Sequence, residues 1–493
     1  MAKRVAVIDI GSNSVRMVVY EKTSRYAFHL LHEEKSKVRI SQNAYKYAGA
    51  LQELPMQRTF DALSEFLQIA KSFKTTKLLC VATSALRDAP NKKDFLQKVK
   101  KKLKLNIKII SGEKEAYFGA IACANLLPAQ QNALSIDIGG GSTEFSQIHE
   151  NSVTNTISLN LGTVRLKELF FDNDDIEGAI KYIDTALEQI PQGDISTLIG
   201  IGGTFRAISS AIMKIEDYKL NKLHAYEYSA EILSTYITAL LGSKTDEALY
   251  ALEIKKNRFD VIHPGTLILQ RVLNRLNIDK IITSGVGVRE GVYLSDLLRN
   301  AKHKFPHNFN TSVKYLLDSH LSDGSFSIML NTLSKKLFDL THEYFQVDNI
   351  YRYELAIAAK IYPTGSSVHF YSQNKHTYYL VQNALEYGFT HESNTLIATL
   401  CKYATKKLPA ESHLQKYATL LPQPYTTNVL SYLLSLSIAL LSHRPRNIDF
   451  ELSFKDGILE IHSAEALYLA KSATEALACS KDTFEVKFLN SKI

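Results

Sequence analysis

The chain contains two short glycine turns that begin with the same three residues, Asp-Ile-Gly, at Asp9–Ser14 and Asp137–Glu144. Each turn follows a short apolar run, Val5–Ile8 in the first case and Ala133–Ile136 in the second. The pattern predicts, twice, a strand, a carboxylate at its end, a tight turn and a return strand. Glycine lets a ligand approach the backbone closely, and successive N–H groups form anion-binding concavities. Two such turns are therefore expected to hold a phosphate chain and its metal from both sides.

The segments around the two turns predict an internal duplication. Residues 1–125 alternate predicted strands and helices, and the pattern restarts at Leu134 and continues to about residue 300. The first copy predicts strands at Val5–Asp9, Val15–Tyr20, Phe28–Ser36 and Lys77–Ala82 and helices at Pro55–Lys71, Asn91–Leu103 and Gly112–Asn125. We therefore predict two α/β lobes, 1–125 and 126–300, that enclose a cleft between them.

The character of the sequence changes after Arg299. Residues 301–445 carry Leu, Ala, Tyr, Ser and Lys at helical spacing, which predicts an all-α domain. Residues 446–493 predict two strands joined at Asp456-Gly457, a helix and a last strand. The end of the chain is thus expected to form a small α+β module.

Composition limits the setting in which the chain works. The longest apolar runs fall short of the roughly 18 residues that a membrane span needs, and the N-terminal residues lack a secretory hydrophobic region. The four cysteines, Cys80, Cys123, Cys401 and Cys479, are scattered, and we expect them to be small buried hydrophobic residues. A cytoplasmic protein without a membrane partner is the resulting expectation.

The net charge of the 493-residue chain is +8, which suits a polyanionic ligand. The densest lysine run, between Lys98 and Lys108, is either the solvated end of a helix or a rim that guides phosphate. No nucleic-acid-binding motif accompanies this charge, so we do not expect a nucleic-acid partner.

Two further glycine turns bear on the ligand. Gly200–Thr204 stands between a predicted buried strand and a helix, so the backbone at Gly202 and Gly203 either presents helix N-terminal N–H groups to an anion or serves as a tight packing turn. Ser284–Gly291 lacks the full dinucleotide-binding fingerprint, and the chain contains no Walker loop. A nicotinamide cofactor and a P-loop are therefore not expected.

Two charged residues follow predicted strands of the first lobe. Glu115 opens a helix, where it is either a carboxylate stabilised by the helix dipole or a general base directed into the cleft. Arg87 is either a bidentate phosphate clamp or an exposed loop residue.

Taken together, these segments resemble the exopolyphosphatase/guanosine pentaphosphate phosphohydrolase (Ppx/GppA) family, which belongs to the superfamily of actin-like, sugar-kinase and chaperone ATPases. The resemblance covers residues 1 to about 300 and depends on the order of the whole set rather than on any single member. The matching segments are Asp9–Ser14, Ala82–Arg87, Ile110–Ala116, Asp137–Glu144, Ser158–Gly162, Gly200–Thr204 and Ser284–Gly291. It implies a pair of duplicated actin-like (ribonuclease H-like) ATPase-fold lobes.

The resemblance also implies roles for individual residues. Glu115 is similar to the family's catalytic carboxylate, which orients or deprotonates the attacking water, and Arg87 to a residue close to the terminal phosphate. Asp137 and Glu144 resemble carboxylates that surround Mg²⁺, with Asp9 a weaker candidate. The implied phosphate-binding residues are Ser12, Asn13, Ser14, Gly139, Gly140, Gly141, Ser142 and Thr143.

In the family, the helical part resembles a metal-dependent HD phosphohydrolase domain, and here the chain departs from the pattern. Tyr362 and Pro363 stand where the His-Asp pair is expected, and proline cannot coordinate a metal. His376 and His391 remain, but two neutral imidazoles without a carboxylate make a poor site. We therefore predict an HD-like domain without metal chemistry, which guides a long chain or mediates dimer contacts.

The expected activity is removal of the terminal phosphate from inorganic polyphosphate, from guanosine pentaphosphate, or from both, with Mg²⁺ as cofactor and a homodimer as the family-level assembly. Catalysis of phosphoryl transfer depends mainly on positioning the substrate and neutralising its charge. The turn residues, Arg87 and the carboxylates named above are suited to both tasks. Two alternatives stay open: an actin-like ATPase or sugar kinase, and a non-catalytic sensor of nucleotide or polyphosphate.

Overall fold

The computed structural model describes residues 3–190, 193, 195–405, 407–478 and 483–490. The chain divides into two compact units, Met1–Phe309 and Asn310–Ile493, and each is described by itself. Cys80, Cys123 and Cys401 are buried as predicted, whereas Cys479 lies outside the described residues. Within the described part of the chain, no helix has the length and apolar character needed to cross a membrane.

The first unit is built from two β-sheets and the helices that cover them. Its strands are β1 (Arg4–Ile10), β2 (Val15–Lys22), β3 (Phe28–Ser36), β4 (Lys77–Ala82), β5 (Lys108–Ile109), β6 (Asn132–Ile138), β7 (Thr143–His149), β8 (Ser152–Leu159), β9 (Thr197–Ile201), β10 (Tyr226–Ser229) and β11 (Lys280–Thr283). Its helices are α1 (Glu53–Ser72), α2 (Ser84–Asp88), α3 (Lys92–Leu103), α4 (Gly112–Leu126), α5 (Thr163–Leu169), α6 (Ile176–Leu187), α7 (Gly202–Ile215), α8 (Ala230–Gly242), α9 (Asp246–Ala251), α10 (Ile262–Arg275) and α11 (Val288–Leu297).

The two sheets repeat one topology. The first has the strand order β3-β2-β1-β4-β5 and the second the order β8-β7-β6-β9-β11-β10. Each sheet begins with three antiparallel strands. The chain then crosses over through helices and adds a strand parallel to the first one, so that β4 pairs with β1 and β9 pairs with β6. The second sheet has an additional antiparallel edge strand, β10, paired with β11. The predicted duplication of an α/β unit is thus present, with one strand added to the second copy.

Each lobe has its own hydrophobic core, and α4 connects them. Ile8, Met17 and Leu63 belong to the core of the first lobe. The α4 residues Ala120 and Cys123 instead pack with Ile199, Ile282 and other residues of the second sheet. The helix that ends the first copy in sequence is therefore seated on the second lobe, which brings its N-terminal turn to the boundary between the lobes.

The second unit packs helices and a small sheet around one core. Its helices are α12 (Thr311–His320), α13 (Ser325–Thr341), α14 (Arg352–Ile361), α15 (Gln373–Ala384), α16 (His391–Tyr403), α17 (Glu411–Lys416), α18 (Pro424–Leu440) and α19 (Tyr468–Glu475). Its strands are β12 (Phe450–Lys455), β13 (Ile458–Ser463) and β14 (Glu485–Asn490), in the order β12-β13-β14. Leu333 and Leu433 of the helices share their core with Leu459 and Ile461 of the sheet. The helical residues and the C-terminal strands therefore form one packed body, and the predicted boundary near residue 445 stays a prediction.

The segment where a His-Asp pair was expected continues α14 as a 3₁₀ helix, Tyr362–Ser367. Tyr362, Pro363 and Gly365 are buried there. A Cβ added to Gly365 would lie 2.2 Å from the carbonyl oxygen of Gln373, so this turn packs directly against α15. The segment is filled by protein packing, and the absence of metal chemistry in this part of the chain stays a prediction.

Candidate active site

The two Asp-Ile-Gly hairpins have the same turn geometry. The Gly11 N–H donates to the Ser14 carbonyl at 3.1 Å, and the Gly139 N–H donates to the Ser142 carbonyl at 2.9 Å. In the first hairpin Asp9 pairs with Arg16 in the ladder, whereas in the second Asp137 pairs with Glu144. The duplicated scaffold therefore presents a cation beside the first aspartate and a second carboxylate beside the other.

The two turns meet at the cleft between the lobes. A Cβ built on Gly140 would lie 2.8 Å from Cβ of Ser12, so only glycine allows the second turn to approach the first this closely. Among the predicted phosphate-binding residues, the cleft is lined by Ser12, Asn13, Ser14, Gly139, Gly140, Ser142, Gly202 and Gly203.

Two predicted phosphate-binding residues do not line this cleft. Thr143 is fully buried, and its hydroxyl donates to the Leu161 carbonyl at 2.7 Å. Gly141 stands behind the cleft wall, where its backbone faces the Tyr45 hydroxyl. Both residues shape the second turn instead of facing the space that a ligand would occupy.

The backbone of the turns offers hydrogen-bond donors to a ligand. Among the described residues, no protein acceptor pairs with the N–H groups of Gly140 and Ser142. The third turn adds the first N–H groups of α7, which have no acceptor within a helix. Gly202 opens that helix with φ +86°, and a Cβ there would lie 2.4 Å from Oδ1 of Asp137. The positive φ and the neighbouring carboxylate both require glycine at this position.

Glu115 and Arg87 form an ion pair at the lobe boundary. Ser111 caps α4 by accepting from the Lys114 N–H at 3.2 Å, which fixes Glu115 in the first helical turn. Arg87 lies on α2, just after β4, and its Nη1 donates to Oε2 of Glu115 at 3.0 Å. Of the two, Glu115 lines the cleft and is 9% exposed. The structure therefore brings together the two residues that the sequence singled out separately.

The environment of Glu115 makes its carboxylate a better proton acceptor than an exposed one. Burial raises the pKa of this carboxyl well above its usual value, and the nearby Glu144 carboxylate raises it further. The Arg87 guanidinium acts in the opposite direction and lowers the same pKa. A carboxylate with a raised pKa is a stronger base than an exposed one and can take a proton from water near neutral pH.

Asp9, Asp137 and Glu144 also line the cleft. Burial raises the pKa of Asp9 to about 6, that of Glu144 to about 8, and that of Asp137 in the same direction. Oδ1 of Asp9 is sealed from solvent and has no hydrogen-bond partner. Glu144, in contrast, accepts from the Ser158 hydroxyl at 2.8 Å. A buried carboxylate oxygen without a hydrogen-bond partner is costly, even though the charges of Arg289 and Arg16 lower the pKa of Asp9 and so oppose the effect of its burial.

These carboxylates fit a hard cation such as Mg²⁺. No three His, Cys, Asp or Glu side chains of the described chain converge tightly enough to enclose a metal on their own. Mg²⁺ does not need such a cage, because it is usually held by one or two carboxylates together with waters and substrate phosphates. The unpartnered oxygen of Asp9 and the neighbouring Asp137 would provide such a donor set, and the assignment of Asp9, Asp137 and Glu144 as metal ligands stays a prediction.

A cluster of cations lines the remainder of the cleft: Arg16, Lys35, Lys37, Arg206, Arg258 and Arg289. Burial, reinforced by neighbouring cations, lowers the pKa of Arg16 to about 10 and that of Lys35 to about 8. Within this cluster, Glu33 is held by Arg289 at 2.6 Å. Six cations, of which Arg289 is buried, thus line one cleft, and a polyanion would neutralise their mutual repulsion.

Most of these cations were not assigned a role from the sequence, although two of them carried a signal. Arg289 lies in the first turn of α11 and Arg206 at the fifth position of α7, in each case a few residues after a glycine turn. A cation is unfavourable at that end of the helix dipole, so its presence there points to an anion. Lys35 lies near the end of the edge strand β3 and Lys37 directly after it, and nothing in the sequence distinguishes them from solvated lysines.

Comparison with known proteins places this geometry in a family. The family model described as Ppx/GppA phosphatase family matches residues 18–300, and the model described as Ppx/GppA phosphatase, domain III, matches residues 310–477. The bifunctional 3-dehydroquinate synthase/phosphatase of Fusobacterium nucleatum is 32% identical over 297 residues, which are 57% of this chain and 44% of that protein. The guanosine-5'-triphosphate,3'-diphosphate pyrophosphatase of Photobacterium profundum is 27% identical over 415 residues, 82% of this chain and 80% of that protein.

Solved structures agree with these matches. The Ppx/GppA family member from Aquifex aeolicus is 27% identical, with a TM-score of 0.53 over 61% of this chain and 99% of its own. An exopolyphosphatase from Cytophaga hutchinsonii is 25% identical, with a TM-score of 0.56 over 60% of this chain and 98% of its own. The predicted fold class, a duplicated pair of actin-like α/β lobes followed by a helix-rich part, is confirmed, whereas the HD-like character of the helices stays a prediction. Two facing glycine turns, the Glu115–Arg87 pair and family models matched along most of the sequence lead to one conclusion: the chain belongs to the Ppx/GppA phosphatase family.

Proposed function

We propose that the protein is a phosphohydrolase that releases the terminal phosphate of inorganic polyphosphate and of guanosine pentaphosphate, converting pppGpp to ppGpp. The observation that carries this proposal is the Glu115–Arg87 ion pair at a cleft whose walls include turn N–H groups and a cluster of cations. The names of two relatives support the substrate classes, since one is an exopolyphosphatase and another acts on a guanosine pentaphosphate.

In this proposal Glu115 is the general base. Its carboxylate orients a water molecule in line with the terminal phosphorus and accepts a proton as the new P–O bond forms. Arg87 holds that carboxylate in place and offers its remaining N–H groups to the equatorial oxygens of the terminal phosphate. The bridging P–O bond breaks, and orthophosphate leaves together with the shortened chain or ppGpp.

The two turns and the cation cluster perform the charge neutralisation that phosphoryl transfer requires. The free N–H groups of Gly140 and Ser142 face phosphate oxygens at the reacting end, while Arg16, Lys35 and Arg289 hold the anionic remainder of the substrate. In this proposal Asp9, Asp137 and Glu144 would hold Mg²⁺, which would supply positive charge against the negative charge that develops on the phosphate. Because this machinery addresses phosphates alone, one cleft can serve both substrates.

The test is orthophosphate release from both substrates in the presence of Mg²⁺. Glu115→Gln keeps the shape and removes the base, and we expect a loss of roughly 10²- to 10⁴-fold in kcat. Glu113→Gln is the matched control, because Glu113 is exposed on the same helical turn and should retain the parent rate. Full activity in Glu115→Gln would show that the mechanism is wrong, whatever the family.

The same assay separates the alternatives. A sugar kinase would turn over ATP with a sugar acceptor and release no phosphate from polyphosphate. A sensor would bind either substrate equally well in the parent and in Glu115→Gln, with no hydrolysis by the parent. A homodimeric assembly and a cytoplasmic location stay predictions.

A further inference from the structure

The helix α5 holds the second glycine turn by its carbonyl groups. The Thr163 N–H donates to the Gly139 carbonyl at 3.0 Å, and the Val164 N–H donates to the Gly140 carbonyl at 2.8 Å. The Arg165 N–H donates to the same Gly140 carbonyl at 3.1 Å. These donors belong to the first turn of α5, where a helix leaves its N–H groups without internal acceptors. The start of the helix thus fixes two successive peptides of the turn.

The side chain of Arg165 fixes the next peptide. Its Nε donates to the Gly141 carbonyl at 2.8 Å. Arg165 therefore contacts two successive carbonyls of the turn, one through its backbone and one through its guanidinium. The side chain is 14% exposed and does not line the cleft. It acts on the turn from outside the space that a ligand would occupy.

A fixed carbonyl also fixes the N–H group of the same peptide. The peptide group is planar and trans, so its C=O and N–H bonds point in opposite directions. The contact to the Gly141 carbonyl therefore sets the direction of the Ser142 N–H. Ser142 lines the cleft, and its N–H has no protein acceptor in the part of the chain that the structure describes. Because glycine restricts the backbone least, the turn depends on such contacts for its orientation.

The first lobe holds the other end of the Arg165 side chain. Its Nη2 donates to Oδ2 of Asp88 at 3.0 Å, and its guanidinium carbon lies 4.5 Å from the centroid of the Tyr45 ring. Asp88 is on α2, the helix that also carries Arg87. A guanidinium is a rigid planar fork, so the contact to Asp88 helps to direct Nε toward Gly141. Arg165 thus aligns the second turn with the helix that bears one half of the Glu115–Arg87 pair.

We propose that Arg165 is a positioning residue: through the Gly141–Ser142 peptide it directs the Ser142 N–H toward the phosphate that is transferred. This inference rests on the proposed function. A donor that is already oriented stabilises the charge of the transition state without having to turn while the reaction takes place. Loss of the Arg165 contact would leave the donor in place but free its direction.

The experiment compares the full-length parent with Arg165→Ala and Arg165→Lys. Lysine keeps a positive charge near Asp88 but lacks the planar fork that contacts Gly141 and Asp88 together. We expect kcat for orthophosphate release from polyphosphate with Mg²⁺ to fall about 10- to 100-fold in both variants, somewhat less than when such a donor is removed. KM should stay within about threefold, because the cations of the cleft still bind the chain.

Inhibition by orthovanadate provides a second measurement. Vanadate can adopt the five-coordinate geometry of phosphoryl transfer, so its inhibition constant follows the stabilisation of the transition state. We expect this constant to rise by about the same factor by which kcat falls. Inhibition by orthophosphate, the product, should change little. A general loss of stability would not separate the two inhibitors in this way.

Arg271→Lys is the matched control. Arg271 on α10 forms a bidentate pair with Asp184 on α6, with both distances at 2.7 Å, and it does not line the cleft. The variant therefore disturbs an arginine–aspartate pair of the same lobe without touching a glycine turn. We expect it to keep the parent kcat and the parent inhibition constant for orthovanadate.

Each other outcome decides against the assignment. Parent kcat in a folded Arg165→Ala would overturn it, and so would a loss in Arg165→Ala that Arg165→Lys fully restores, because charge and not direction would then matter. A rise in KM alone, or a fall in kcat with an unchanged vanadate constant, would also overturn it and leave the proposed function intact. A parent that releases no orthophosphate from polyphosphate or guanosine pentaphosphate would refute the proposed function, and with it this inference. Should Arg165→Ala fail to fold, Arg165→Met is judged by the same criteria.

Discussion

Replacing Arg87 by alanine should move the acid limb of the pH–rate profile to higher pH. The Arg87 guanidinium is 3.0 Å from the Glu115 carboxylate and favours its charged form. In the variant, burial and the Glu144 charge continue to raise the pKa of Glu115, and nothing opposes them. Since a general base acts only when deprotonated, a higher pKa means that activity begins to rise at a higher pH.

The size of the shift follows from the geometry. Two unit charges about 4 Å apart interact by about 4 kcal/mol at the effective dielectric constant of a partly buried pair. The Arg87 side chain is 21% exposed and that of Glu115 11%, so solvent screens part of this interaction. If a third to two thirds remains, the expected shift is about 1 to 2 pKa units, since one unit corresponds to 1.36 kcal/mol.

The assay is kcat/KM for orthophosphate release from polyphosphate, measured from about pH 5 to pH 10. Arg87→Lys is the matched control, because it keeps a positive charge beside Glu115 and should leave the limb within about half a unit of the parent. The absolute rate is expected to fall in both variants, because both lose the bidentate contact to the terminal phosphate.

The pH at which the acid limb lies, rather than the loss of rate, tests whether Glu115 is the general base. A limb that stays at the parent pH in Arg87→Ala, with kcat/KM reduced equally at every pH, would show that the titrating base is not Glu115. Arg87 would then act only on the phosphate, and the base would have to be sought elsewhere in the cleft.

Gly202→Ala should leave the protein folded but lower kcat by about 100-fold, because the added Cβ would displace the Asp137 carboxylate. A melting curve tests the first part and the phosphate-release assay the second. An unchanged kcat would contradict the prediction. Asp9→Asn should stabilise the Mg²⁺-free protein at pH 7 by about 1 to 3 kcal/mol while impairing activity. The reason is that burial raises the pKa of Asp9 from 3.8 to about 6, so its charge costs stability above that pH and nothing below about pH 4. Equal urea denaturation curves for parent and Asp9→Asn at pH 7 would count against this reasoning.

The fold was largely predictable, because its signals are local. The strands Phe28–Ser36 and Lys77–Ala82 were predicted with the bounds that the structure has, since runs of strand character bounded by turn residues define them. Strand β8 (Ser152–Leu159) was not predicted. It is a polar, half-exposed strand that is stabilised by pairing with β7, and such pairing leaves little trace in the strand's own residues.

The site was predictable only in part. Glycine turns and carboxylates after strands are visible in sequence because their chemistry needs particular residue types. Lys35 and Lys37 were not visible, because a lysine at the end of an edge strand has the same sequence context whether it faces solvent or a cleft.

The sequence by itself determined two α/β copies, each with an Asp-Ile-Gly turn, and the residue types able to bind phosphate, because strand periodicity and turn chemistry act over a few neighbouring residues. Only the tertiary structure decided how these parts act together. It seats α4 on the second lobe so that Glu115 faces Arg87, and it places Arg16 and Glu144 at equivalent positions with opposite charge. These relations join residues tens to hundreds of positions apart, and packing between lobes, which no local pattern encodes, determines them.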